Sequence, residues 1–251
     1  MKTSNKLLLI FLGTIVFLLI ASLVYMRFFG LDYGERIVGS GITTTETRQV
    51  SSYSSVQFNG PFDVTIIQSN EPNLTLSGDE KILPYIITEK MDDGTLRIGI
   101  KKGYSLGRHS GIDVRISMPE WNKITLSGSG QLVSQDTLSG DYLDLQSNGS
   151  GEMDLTLKYQ SITGELNGSP ELSLAGVSQS LAITSNGSGD IHAMDLICQS
   201  VTFNASGSTD AEFHADSTLH VTVNGSGDVT YTGNATDVRS NMNGSGQLSR
   251  K

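Results

Sequence analysis

The sequence predicts an all-β protein: a single-stranded parallel β-helix (solenoid) with coils of about 19 residues, preceded by one N-terminal transmembrane helix. Three observations predict it. A glycine-centred turn motif returns at a near-constant interval over half of the chain, the residues flanking each copy alternate between apolar and polar, and one long uncharged apolar run stands near the N-terminus.

The motif occurs as Ser127-Gly-Ser-Gly130, Asn148-Gly-Ser-Gly151, Asn167-Gly-Ser-Pro170, Asn186-Gly-Ser-Gly189, Ser206-Gly-Ser-Thr209, Asn224-Gly-Ser-Gly227 and Asn243-Gly-Ser-Gly246. Its first glycines are Gly128, Gly149, Gly168, Gly187, Gly207, Gly225 and Gly244, at intervals of 21, 19, 19, 20, 18 and 19 residues. Asparagine precedes five of them, as Asn148, Asn167, Asn186, Asn224 and Asn243. Asn and Gly both accept positive φ at a sharp corner, and Asn at equivalent corners of stacked coils can hydrogen-bond amide to amide. This turn chemistry explains much of the count of 28 glycines. A phosphate-cradling loop is the competing reading, but no helix pattern follows the motif.

Before each corner, apolar residues alternate with Thr, Asn and His, as in Leu219, Val221 and Val223, or in Leu181 and Ile183 with Ser185 at the last inward position. A second pair follows it, as in Met153 and Leu155 or Ile191 and Ala193. Period-two alternation with one apolar face is the pattern of a strand. Each period is therefore expected to hold two short strands, too few for a propeller blade and without the helical stretch of leucine-rich or ankyrin arrays.

Leu7 to Met26 carries no charge, and at about 1.5 Å per helical residue it reaches the roughly 30 Å of a bilayer core. A cleaved signal peptide is the alternative, but its apolar stretch is usually about 7–15 residues long. Lys2 and Lys6 place the N-terminus in the cytoplasm. Residues 1–30 are thus expected to be a membrane anchor or uncleaved signal, 31–49 a Gly/Thr/Ser-rich linker, and 50–251 a β-helix outside the cytoplasm, in the periplasm or at the cell surface. Within it, 50–122 form irregular first coils and 123–251 the repeats. A short helical turn is expected after Gly78, with Asp79 as N-cap and Pro84 ending it.

The segments Phe58-Asn-Gly-Pro-Phe-Asp-Val-Thr-Ile66, Leu74-Thr-Leu-Ser-Gly-Asp-Glu80, Gly94-Thr-Leu-Arg-Ile98 and Val114-Arg-Ile-Ser-Met-Pro-Glu-Trp121 lead in this order into the repeats. Together they resemble the bacterial "putative auto-transporter adhesin, head GIN domain" family. The resemblance implies a pectin-lyase-like parallel β-helix, export to the cell envelope, an adhesive role and no established catalytic residues. The membrane anchor departs from the lipoprotein cysteine expected in that family.

The chemistry points the same way. The chain carries 17 basic and 26 acidic residues, a net charge of −9, and downstream of residue 31 the balance is −12. Nucleic acid, which needs clustered Lys and Arg, is excluded as a partner. From Gly128 to Gly244 only Lys158 and Arg239 are basic, so a polysaccharide lyase or hydrolase on this scaffold would lack a cationic base or substrate clamp. His192, His214 and His220 fall in three different columns, and the lone Cys198 reads as a buried small apolar residue. No enzyme activity and no cofactor are expected.

Two surface features remain. Glu152, Glu171, Asp190, Asp210 and Asp228 each stand three residues after a corner glycine and form an acidic column, read as a solvated face or a stripe for divalent cations. Lys101, Lys102, Arg108, His109 and Arg115 surround a Gly-Tyr-Ser-Leu-Gly loop, read as a charged hairpin or a patch for an anionic glycan or an acidic protein face. The expected partners are the membrane, through the N-terminal helix, and a glycan or envelope protein. The last coil, ending at Arg250 and Lys251, offers an open edge to a second copy.

Overall fold

The computed structural model describes residues 13–18, 20–21 and 34–251. The transmembrane expectation for Leu7 to Met26 falls mostly outside them. Residues 13–18, 20 and 21 are helical, and no helix among the described residues is long and apolar enough to cross a membrane.

From residue 34 onward the chain is an all-β solenoid. Its N-terminal end is built from β1 (Glu35–Ile37), β2 (Thr43–Arg48), β3 (Ser55–Asn59), β4 (Asp63–Gln68), β5 (Asn73–Asp79), β6 (Ile86–Lys90), β7 (Leu96–Ile100), β8 (Tyr104–Leu106) and β9 (Ile112–Met118). The repeat follows as β10 (Lys123–Gly128), β11 (Gln131–Ser134), β12 (Leu138–Gly149), β13 (Glu152–Gly168), β14 (Glu171–Gly187), β15 (Asp190–Gly207), β16 (Asp210–Gly225), β17 (Val229–Thr232), β18 (Asp237–Gly244) and β19 (Leu248–Arg250).

Successive coils pair in parallel and in register, so each inward position becomes a column. Val56, Ile124, Leu145, Gly164, Ile183, Phe203 and Val221 form one such column. At Gly164 an added Cβ would meet the end of the Ile183 side chain, 2.5 Å from its Cδ1. Phe203 and Phe213 fill the next coils with tilted rings 5.2 Å apart. A strictly alternating sequence with β-branched and aromatic residues inward is what a rung buried on one face requires.

The central coils differ from the expected pair of short strands. Each is a single strand of 16 to 18 residues, broken only at the glycine corner. The second bend is taken up inside the strand, with register shifts between Ser173 and Gly176 and between Ala193 and Ile197. A pleated ladder absorbs a gradual bend through bulges without losing its hydrogen bonds.

At the corners all seven glycines have positive φ, from +109° to +156°, and no other residue type does among the described residues. The asparagines therefore do not share the positive-φ role that their type allows. They form an amide ladder: Asn167 Nδ2 donates to Asn148 Oδ1 at 3.1 Å, Asn186 Nδ2 to Asn167 Oδ1 at 3.1 Å, and Asn243 Nδ2 to Asn224 Oδ1 at 2.9 Å. Ser206 interrupts it between Asn186 and Asn224.

The N-terminal end is not stacked in chain order. β3 and β4 form a coil whose corner is Gly60, with φ +155°. The chain then leaves to place β7 against β3 and β9 against β4 on one side, and returns so that β10 and β11 stack on the other. Outermost are three antiparallel strands, β6 on β7, β5 on β9 and β2 on β5. Ile82, Leu83 and Ile86 are buried beneath this cover, which closes the core as solenoid ends require.

The linker expectation is corrected here. Residues 43–48 are strand β2, and β1 pairs with β8. Thr43-Thr-Thr-Glu-Thr-Arg48 lacks the inward apolar residues that mark a strand, because it covers an edge and buries no face; its pairing comes from the β5 backbone. The helical turn also moves. The observed 3-10 turn is Leu83–Tyr85, with Ile82 as N-cap and Pro84 inside its first positions, where a missing N–H costs nothing.

Asp79 acts instead as a latch. Its carboxylate accepts hydrogen bonds from Gly41 N at 2.6 Å and Lys81 N at 2.9 Å. Burial alone would raise this carboxyl, but the hydrogen bonds from the Ser40, Lys81 and Gly41 backbone and the Ser40 hydroxyl hold it below its ordinary value. Such a group stabilises the fold above the unfolded value of about 3.9 and loses that contribution as pH falls through its lower folded value. The protection factor of the Gly41 amide, relative to its intrinsic exchange rate, is expected to fall below about pH 4 while the β14–β15 amides stay protected. Unchanged protection of Gly41 across that range would show that Asp79 does not latch the segment.

Candidate functional site

The acidic column is one line on the outer surface. Gln131 faces Glu152, and Glu171, Asp190 and Asp210 follow in register. It also runs past the repeat, through Asp63 beside Gln131 and Asp113 beside Asp63. Near the C-terminal end the carboxylates bond the next coil: Asp210 Oδ1 accepts from Asp228 N at 2.8 Å and Asp228 Oδ1 from Gln247 N at 3.0 Å. His192 stands between Glu171 and Glu212, at 3.9 and 3.8 Å, half exposed. Among the described residues no group of three or more His, Cys, Asp or Glu side chains is arranged to hold a metal ion.

Of the five basic-loop residues, Arg108 and His109 line one cleft, while Lys101 and Arg115 engage partners elsewhere. Lys101 lies 5.7 Å from the Tyr104 ring centre, and His109 Nδ1 accepts from Gly111 N. Arg108 lends its carbonyl to Gly39 N at 3.0 Å. Arg115 projects from β9 and its guanidinium donates to Gln135 Oε1 in the repeat. Gly39, Ser40, Arg108 and His109 line a small cleft over Asp79, whose carboxylate already has its partners.

Cys198 is fully buried, and burial pushes its thiol up to about 12. It therefore stays a neutral thiol at ordinary pH. Iodoacetamide at about pH 8 is expected to leave the folded protein unmodified and to alkylate it fully once unfolded, because only the thiolate reacts. Labelling of the folded protein would contradict this burial.

A trough runs along the second bend of β12 to β15, holding about 620 Å³. Its floor is the column Gly140, Tyr159 and Ser178. Gly140 keeps the floor open, since a Cβ would lie 2.7 Å from the Tyr159 ring. Tyr159 is itself fixed, its hydroxyl donating to the Trp121 carbonyl at 2.9 Å, and burial raises its phenol well above its ordinary value.

One wall is the column Lys158, Val177 and Ile197, whose last two are exposed by 44% and 45%. The opposite wall carries Asp141, Gln160, Gln179 and Gln199. Gly176, at φ +112°, lets the strand bend just before Val177, where any Cβ would collide with the carbonyl oxygen of Leu157 on the preceding coil. A second cleft of about 520 Å³ shares Ser139, Gly140 and Asp141 with the trough and continues it over Gln68 and Pro119 toward the N-terminal end. There Gln68 ties cap to repeat, accepting from Ser139 N at 2.6 Å and donating to Pro119 O at 3.0 Å.

Sequence reasoning missed this trough because it lies at the variable bend, away from the glycine corner that marks the period. A signal was present: Gln-Ser recurs at 160–161, 179–180 and 199–200, one coil apart each time.

A rod of stacked β-coils with an open trough on its flank defines the class: a solenoid that presents repeated side-chain columns to its surroundings. The chain belongs to the family described as "Putative auto-transporter adhesin, head GIN domain", which matches residues 52–235. No curated protein matches it. Among solved structures it is similar to a "putative adhesin" from Bacteroides fragilis, 23% identical with a TM-score of 0.80, over 86% of this chain and 100% of that one. It is also similar to a "putative lipid binding protein" from Parabacteroides distasonis, 22% identical with a TM-score of 0.72 over the same shares. A "putative adhesin" from Parabacteroides merdae is 19% identical, with a TM-score of 0.63 over 87% of this chain and 100% of that one. At these identities the likeness is one of fold.

Proposed function

We propose that this chain is a non-catalytic binding or adhesion module, displayed outside the cytoplasm from a membrane. The observation that carries the reading is the trough, where polar amides and exposed apolar side chains recur from coil to coil on a rigid surface. An amide repeated on each coil suits an extended ligand, and fixed strands hold the backbone in place for binding. The family's description as an adhesin supports the same reading and an extracytoplasmic location, as does the apolar run from Leu7 to Met26.

The test is retention of the full chain, held in nanodiscs, by separated envelope fractions: polysaccharide, lipid vesicles and membrane protein. Saturable binding to one fraction without chemical change is the expected result. Binding to none would sink the module reading. New reducing ends or unsaturated sugars in the polysaccharide fraction would replace it with a lyase or hydrolase on the same scaffold.

A further inference from the structure

We infer that the trough binds a linear, predominantly neutral polysaccharide chain lying along the rod axis; this deepens, and rests on, the reading of the chain as a binding module. The amides of Gln160, Gln179 and Gln199 hydrogen-bond to no other group among the described residues, and they stand on successive rungs. An amide offers both donors and an acceptor, which matches sugar hydroxyls that do both. Across the floor, Val177 and Ile197 present exposed apolar surface to take the C–H face of a ring. The rungs advance by about 4.8 Å, close to the length of one pyranose in an extended chain, so each ring meets a fresh amide, and on the Gln179 and Gln199 rungs a fresh apolar contact as well.

Other occupants fit less well for reasons visible in the fold. Strands β12 to β15 run across the trough and pair with neighbouring coils on either side of the Gln column, where the Gln160 carbonyl accepts instead from the Ser178 and Ser180 hydroxyls. A peptide therefore finds no edge on which to add a strand. The trough is open and half polar, without the enclosed apolar cavity an acyl chain needs. Charge argues against a polyanion as well: the trough holds Lys158 and Asp141, one of each sign, on a repeat that is otherwise strongly acidic.

The experiment is binding of the full chain in nanodiscs to an array of linear oligosaccharides, with cello- and chito-oligosaccharides as neutral probes. Polygalacturonate serves as the anionic probe and phosphatidylglycerol vesicles as the lipid one. Binding of a neutral series, strengthening with chain length until the trough is filled, is expected. The triple variant Gln160→Ala, Gln179→Ala, Gln199→Ala should weaken it at least tenfold, and Ile197→Asp likewise, as losses of several hydrogen bonds or of an apolar contact imply. Thr202→Ala, outside the trough, should leave it unchanged, with circular dichroism confirming that every variant is folded. Failure of all neutral probes, or binding indifferent to the trough variants, would overturn the inference. Retention of vesicles or of polygalacturonate in its place would do so while leaving the chain a binding module. Cleavage of the bound sugar would instead overturn the non-catalytic reading.

Discussion

Gly225→Ala is expected to destabilise the solenoid by about 2–6 kcal/mol, the sum of roughly 1–3 for overpacking and roughly 1–3 for a strained φ. The glycine has φ +156°, and an added Cβ would lie 1.7 Å from the carbonyl oxygen of Gly207 on the coil below. That oxygen is backbone and has no room to retreat, because Gly207 O accepts a hydrogen bond from Ser226 N at 3.0 Å. Gly94→Ala separates the two causes. Gly94 also has positive φ, +87°, but nothing lies within 4 Å of its added Cβ. It should cost only the strain, about 1–3 kcal/mol. Denaturant midpoints of the two variants, compared with the parent, give the difference. Equal losses would show that coil-to-coil contact is not what demands glycine at the corner.

Trp121→Ala is the second large effect, expected at about 3–5 kcal/mol by cavity formation in a fully packed site. Trp121 is 1% exposed and lies where the chain crosses from the N-terminal cap to the repeat. Its Nε1 donates to Ile67 O at 3.1 Å, while its carbonyl receives the Tyr159 hydroxyl. Trp121→Phe keeps most of the ring but strands the Ile67 carbonyl, so a smaller loss of about 1–3 kcal/mol is expected. Amide exchange should rise in β4 and β13 together, since one residue joins them. Exchange raised in β4 alone would mean that Trp121 belongs only to the cap. Because Tyr159 floors the trough, the Ala variant should also bind oligosaccharide less tightly.

Much of the fold was legible because its determinants are local and repeated. Asn186-Gly-Ser-Gly189 states a corner, Leu181 and Ile183 state an inward face, and a period near 19 residues stacks them. Even the amide ladder follows from asparagines one coil apart. The acidic column was legible for the same reason, as a fixed offset from each glycine. The trough was harder to read, since it lies where coil length wanders and where bulges shift the register near Gly176 and Ile197.

The sequence by itself determined the all-β solenoid, its coil length and the acidic repeat, since each is written in residue type and spacing. Tertiary structure decided what spacing cannot encode. It placed 73–118 outside the β3–β4 coil, made Thr43–Arg48 a strand by pairing it to β5, and turned Asp79 from a helix cap into a latch. It also made the columns of Lys158 and Gln160 line one trough with Tyr159 between them. The physical reason is the same in each case. A strand's pairing partner and a bend's curvature depend on backbone hydrogen bonds to distant segments, and those bonds carry no side-chain signature of their own.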